Sequence, residues 1–137
     1  MKSFVVPGQP QGKGRPRVTT RGGIAHAYTP GRTVSYEKLV AAAYREAYPG
    51  ALPAAGAVQI AIRAVYAIPK SWPRKRKQQA LAEMIPVTVK PDCDNVLKVV
   101  SDALNGIAWQ DDKQIIFAQV VKKYGVEPRV EVEIWES

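Results

Sequence analysis

Hydrophobic residues along this chain switch between two periods, and the switches mark the elements. Ser3 to Val6 is a short apolar run stopped by Pro7, which predicts an N-terminal strand. Tyr36, Leu39, Val40, Ala43, Tyr44 and Ala47 recur at helical spacing, so a helix starts at Thr33 or Ser35 and runs to about Tyr48, where Pro49-Gly50 ends it. Val58, Ile60, Ile62, Ala64, Tyr66 and Ile68 then alternate with Gln59, Ala61, Arg63, Val65 and Ala67, the pattern of a strand buried mostly on one face. Pro69 and Pro73 break it, a modest helix follows from Arg74 to near Met84, and Val87 to Val89 forms a short extended segment. The next helix buries Val96, Leu97, Val99, Val100, Ala103 and Leu104, with Asp94 as the expected N-cap and Gly106 at the C-terminal stop. Gln114 to Tyr124 reads as a strand and Gly125 to Pro128 as a turn. Val130, Val132 and Ile134 mark a final strand that pairs back as a hairpin. The order β-α-β-α-(β)-α-β-β implies an α/β (α+β) single domain, with a mixed sheet of about four to five strands and helices packed on it.

One long stretch, Gly8 to Arg32, has neither period. It is rich in glycine and carries Lys13, Arg15, Arg17, Arg21 and Arg32, and irregular stretches of this length in a small domain are usually functional or disordered. Tyr28 within it packs more readily than it stacks on a base. His26, the single histidine, receives no role.

Composition narrows the possibilities. A length of 137 residues with 46% hydrophobic content suits one domain with a real core. No apolar run has the length of a membrane span, no signal peptide opens the chain, and one cysteine leaves no intramolecular disulfide, so a reducing cytoplasm is expected. That cysteine, Cys93, is expected to be a small buried residue on the core side. The net charge of +8 is unevenly placed: residues 1–90 hold 15 Lys/Arg against 3 Asp/Glu, and residues 91–137 hold 5 against 9. A basic body beside an acidic cluster suits a protein that holds a polyanion and places metal against it. Arg74-Lys75-Arg76-Lys77 opens a helix, where positive charge opposes the macrodipole, so phosphate contact explains the run better than helix stability does. With Lys70, Lys90, Lys13, Arg15 and Arg17 it makes up the expected DNA-binding set. No membrane and no small-molecule cofactor enters this picture.

The chemistry concentrates in Lys90-Pro91-Asp92-Cys93-Asp94-Asn95-Val96-Leu97-Lys98 and in Trp109-Gln110-Asp111-Asp112. Pro91 restricts Lys90 to extended geometry. If the extended backbone continues through Asp94, both carboxylates point to one side. Asp111 or Asp112, at the start of the following strand, supplies a further acid. One histidine and one cysteine are too few for a zinc site, a Ser-His-Asp triad would have to use His26, and Gly12-Lys13-Gly14 lacks the spacing of a Walker loop. Clustered carboxylates that repel one another suit a hard divalent cation, Mg²⁺ or Mn²⁺, with phosphate completing its shell. Lys98 lies four residues after Asp94 and four before Asp102. It is either a helix ion pair worth roughly 0.3–0.5 kcal/mol or an ammonium contacting the scissile phosphate. The neighbouring acids favour the second, with Asp102 as a helix-face partner.

At these residues the chain resembles the RusA family of Holliday-junction resolvases, common in phages and prophages. The acidic motif from Asp92 to Lys98 carries the resemblance, with Asp102-Ala103-Leu104 and Trp109-Gln110-Asp111-Asp112 in the expected order. Lys13-Gly14-Arg15-Pro16-Arg17 and Tyr28-Thr29-Pro30 are also similar to the family. The resemblance implies a homodimeric, Mg²⁺- or Mn²⁺-dependent endonuclease that nicks two opposed strands of a four-way DNA junction. It implies Asp92, Asp94 and Asp112 as metal-binding aspartates and Lys98 as the catalytic lysine. Cys93 stands where an aliphatic residue is usual. Two other readings of the same residues stay open: a general structure-specific or single-strand nuclease, and a non-catalytic nucleic-acid-binding module whose acids only cap a helix and solvate a loop.

Overall fold

A computed structural model of the chain describes residues 1–14, 17–28 and 31–137. The expected DNA contact Arg15 lies outside the described residues. Four strands form one mixed sheet in the order β1-β6-β4-β5: β1 is Lys2–Pro7, β4 Val58–Ala67, β5 Ile115–Gly125 and β6 Arg129–Glu136. The alternation in β4 buries Val58, Ile60, Ile62, Ala64 and Tyr66 on one face. Register places Phe4 and Val6 of β1 and Val130, Val132 and Ile134 of β6 beside them, and helices cover that face. The first helix, α1, spans Gly31–Ala47, and α3 spans Cys93–Leu104. α3 buries Val96, Val99, Val100, Ala103 and Leu104, and each valine or leucine side chain contributes about 1.5–3 kcal/mol when fully removed from water. Asn105 ends the helix and Gly106 follows at φ 79°, the left-handed position that glycine takes without strain.

The structure departs from the sequence-based expectation in several places. The stretch from Gly8 to Arg32 contains a two-stranded ribbon, β2 (Arg17–Arg21) and β3 (Ile24–Tyr28), whose strands pair antiparallel only with each other. Nothing in its polarity marks it, because all of β3, including Tyr28, is exposed. Val87 to Val89 is not a strand, since the Val89 carbonyl accepts from the Lys122 ammonium at 2.7 Å instead of joining a ladder. α1 begins two residues early and buries Thr33 and Ala41 alongside Tyr36, Val40 and Tyr44, leaving Leu39 exposed. The last strand does not form a hairpin with β5. A crossover through α2 (Arg74–Leu81) and α3 makes β5 parallel to β4, so β4 already fills the inner side of β5. β6 therefore crosses β4 and enters between β4 and β1, antiparallel to both. Gly125 stands at that crossing, where a Cβ would lie 2.5 Å from Val65 Cγ1.

Candidate metal and DNA site

The acidic motif is held from behind by the sheet. Tyr66, on central strand β4, donates its hydroxyl proton to the Pro91 carbonyl at 2.6 Å. Burial pushes the Tyr66 phenol up from its ordinary value, and the nearby Cys93 and Asp92 push the same way, so the donor keeps its proton at neutral pH. From the other side Gly12 packs so close that a Cβ there would meet Asn95 Cβ at 2.8 Å and Pro91 Cβ at 2.9 Å. The Lys13 N–H donates to the Asn95 carbonyl at 3.2 Å, and the Gly14 N–H to the buried Thr33 hydroxyl at 2.9 Å.

Asp92, not Asp94, caps α3. Its backbone is extended (φ −79°, ψ 170°) and one carboxylate oxygen accepts the Asn95 N–H at 2.9 Å. The Asp92 carbonyl takes the first helical bond, from Val96 N–H. Cys93 and Asp94 are therefore already helical, and extended geometry does not align the two acids as expected. Cys93 is exposed, not core-facing, because the first turn of α3 rises above the sheet edge; its Sγ lies 3.9 Å from the Val120 carbonyl. Asp94 is exposed in the first turn, where the helix dipole favours negative charge.

Lys98 is well exposed and sits 3.4 Å from Asp102, so the helix ion pair forms with the later acid. Asp102 also meets Lys13 at 3.2 Å. Lys13, expected at DNA, points inward between Asp102 and Glu37, each at 3.2 Å, with 19% of its side chain exposed. Burial lowers its pKa, but hydrogen bonds to Asp102 and Glu37 outweigh that and the net shift is upward.

The other acid pair occupies the opposite end of α3. Trp109 is fully buried and its indole N–H donates to Asp112 at 2.7 Å. Asp111 caps the short 3-10 turn Asp112–Gln114 in a capping box with Gln114. Asn105, which ends α3, bridges to Trp109, so Asp112 lies one helix length from Asp92. Twelve helical residues rising about 1.5 Å each span about 18 Å. Accordingly, among the described residues no three His, Cys, Asp or Glu side chains come close enough to hold an ion. Within one chain the expected cluster of Asp92, Asp94 and Asp112 does not assemble.

The basic run opens α2 as expected. Arg74, Lys75 and Arg76 are exposed, the N-cap is Pro73, and no acid lies in the first turn. Arg76 stacks over Trp72 at 4.1 Å, and Trp72 meets Tyr124 edge-on, which docks α2 against the end of β5. Lys70 and Lys90 are exposed as well. Sequence reasoning missed Tyr66, Gly12 and Lys122 as supports of the motif. Period two does place Lys122 on the same face as buried Tyr124, and that was the available signal.

The site is thus a helix end bearing two acids, anchored by the central strand of a mixed sheet and flanked by exposed cations. The model of the family described as endodeoxyribonuclease RusA matches residues 7–135. An uncharacterized protein, YqaN, of Bacillus subtilis (strain 168) is 36% identical over 135 residues, covering 97% of this chain and 94% of that protein. The chain belongs to the RusA endodeoxyribonuclease family, whose members are nucleases that resolve Holliday junctions.

Proposed function

We propose that the protein is a homodimeric, divalent-metal-dependent resolvase that nicks four-way DNA junctions in recombination and repair, acting in the cytoplasm of a bacterium or on behalf of a phage. One observation carries the site assignment: two carboxylates stand at the open N-terminal end of α3, clamped from below by Tyr66 and Gly12. The donors are hard oxygens on exposed side chains, which fits Mg²⁺ or Mn²⁺ and leaves room for phosphate in the same shell. When bound, such an ion polarises a phosphoryl oxygen and activates water. Asp92 is fixed by its capping bond, and Asp94 stands exposed beside it on the first turn. Lys98 follows Asp94 by one helical turn and its exposed ammonium neutralises charge developing on the phosphate. Asp112 lies too far along α3 to join these acids in the same chain, so a second copy supplies it. Arg17, Lys70, Arg74, Lys75, Arg76, Lys77 and Lys90 contact the DNA backbone, while Lys13 acts through the strap it forms on α3.

The test is nicking of a labelled four-way junction, a flap and a linear duplex, each with and without Mg²⁺. Paired symmetric nicks in the junction alone, only with metal, are expected. Equal cutting of flap and junction would favour a general nuclease, and no cutting a binding module.

A further inference from the structure

We infer that Lys13 is a positioning residue for cleavage: by holding Asp102 it keeps that carboxylate from capturing Lys98, and so leaves the Lys98 ammonium available to a DNA phosphate. This rests on the resolvase reading above and adds to it the residue that sets where Lys98 points.

Two ammonium groups share one carboxylate oxygen. Asp102 Oδ2 lies 3.2 Å from Lys13 Nζ and 3.4 Å from Lys98 Nζ. The two are unequal competitors. Lys13 is largely buried, and Glu37 grips it from α1 at 3.2 Å. Burial works against its charge, yet the hydrogen bonds to Asp102 and Glu37 outweigh burial, so it stays an ammonium at neutral pH. Lys98 is 63% exposed and pairs, among the described residues, with Asp102 alone. An exposed i,i+4 pair is weak and is readily exchanged for a phosphate, whereas charges drawn out of water depend on each partner they keep.

The network balances two carboxylates against two ammonium groups. Without Lys13, Glu37 and Asp102 would stand largely buried with Lys98 as the one remaining ion-pair partner among the described residues. Lys38 and Arg45 line the groove beside these acids but pair with neither. Direction makes the capture matter. Asp94 lies one turn before Lys98 and Asp102 one turn after it. Long side chains on a helix lean toward its N-terminus, which for a released Lys98 is the side of Asp94 and Asp92. Held tightly on Asp102, it is drawn the other way. The strap itself does not need the Lys13 side chain, because the Lys13 N–H donates to the Asn95 carbonyl and the Gly14 N–H to the Thr33 hydroxyl. Lys13→Gln therefore removes the ammonium and keeps those bonds.

Two readouts on the full chain test this in Lys13→Gln, Asp102→Asn and the double variant. The first is acetylation of Lys98 by acetic anhydride without DNA or metal, followed by mass spectrometry. The second is single-turnover nicking of a pre-bound four-way junction in Mg²⁺. Lys13→Gln should lower Lys98 labelling and slow nicking about 10-fold at unchanged junction affinity, short of the about 10²–10³-fold of losing an electrostatic contributor outright. Adding Asp102→Asn should restore both. Asp102→Asn alone should raise Lys98 labelling, a readout that stands if Lys13→Gln fails to fold. Lys98 labelling indifferent to all three variants overturns the proposal. So does a double variant as slow as Lys13→Gln, which would make Lys13 a structural tie only. Labelling in the expected order, with a wild type that never nicks, would uphold the hold on Asp102 and overturn the resolvase reading on which its role in cleavage rests.

Discussion

The two ends of α3 are built for opposite purposes. At the N-terminal end the carboxylates face solvent and the packing lies behind them, in Tyr66, Pro91 and Gly12. At the C-terminal end Leu104, Ala108 and Trp109 are sealed in the core, and the loop is closed by the Ala54 N–H to the Ala108 carbonyl and the Gly106 N–H to that of Trp109. Among the described residues, one end leaves its two carboxylates without a cation partner; the other satisfies nearly everything it buries. Substitutions at the open end should alter activity first, and those at the closed end stability first.

The sharpest way to break this contrast is Trp109→Ala, which should cost about 3–5 kcal/mol in denaturant unfolding, as for a fully buried aromatic. A loss under 1 kcal/mol would mean that the closed end is not a structural anchor. Next is Asp94→Asn, which should slow nicking by about 10²–10³-fold, the scale of a lost electrostatic contributor. Its unfolding midpoint should stay near wild type, and junction affinity in EDTA should hold or rise because a negative charge is gone. Cleavage at the wild-type rate in Mg²⁺ would remove Asp94 from the site. Gly12→Ala should fall between these, costing about 1–3 kcal/mol through overpacking against Asn95 and Pro91. It should also lower kcat, because the displaced atoms flank Asp92.

Smaller effects separate cations that hold the fold from cations that hold DNA. Changing Arg74, Lys75, Arg76 and Lys77 together to Ala should flatten the log–log salt dependence of binding by roughly 0.9 per lost phosphate contact. Lys13→Gln should leave that slope unchanged. Lys13 has a folded pKa above its ordinary 10.5, so its stabilising contribution is complete below that value and is lost as pH rises through the folded one. Wild type should therefore lose stability at strongly alkaline pH more steeply than Lys13→Gln, as thermal melts at stepped pH would record.

Much of this was legible in the sequence because it is local. The period of α3, the alternation of β4 and the glycine after Leu104 are each read within a dozen residues. What escaped is set by contacts made across the chain. The insertion of β6 between β1 and β4 depends on β4 already occupying the inner side of β5, which no window around residue 130 reveals. The cap fell to Asp92 rather than Asp94 because the Tyr66 bond at Pro91 and the Gly12 strap fix where the chain stops being extended. The acids looked adjacent because twenty residues is a short interval in sequence, but a straight helix fills most of it. The ribbon was hidden because its strands answer to each other alone, with no buried face to impress a period on the residues.

The late arrival of β6 has a consequence for synthesis. β1 precedes the other strands of the sheet in the chain, yet its only partner there among the described residues is β6. Until β6 emerges, β1 and β4 have a gap between them, and Tyr66 stands on a strand supported from one side only. The platform beneath the acids is thus completed only once β6 has been made.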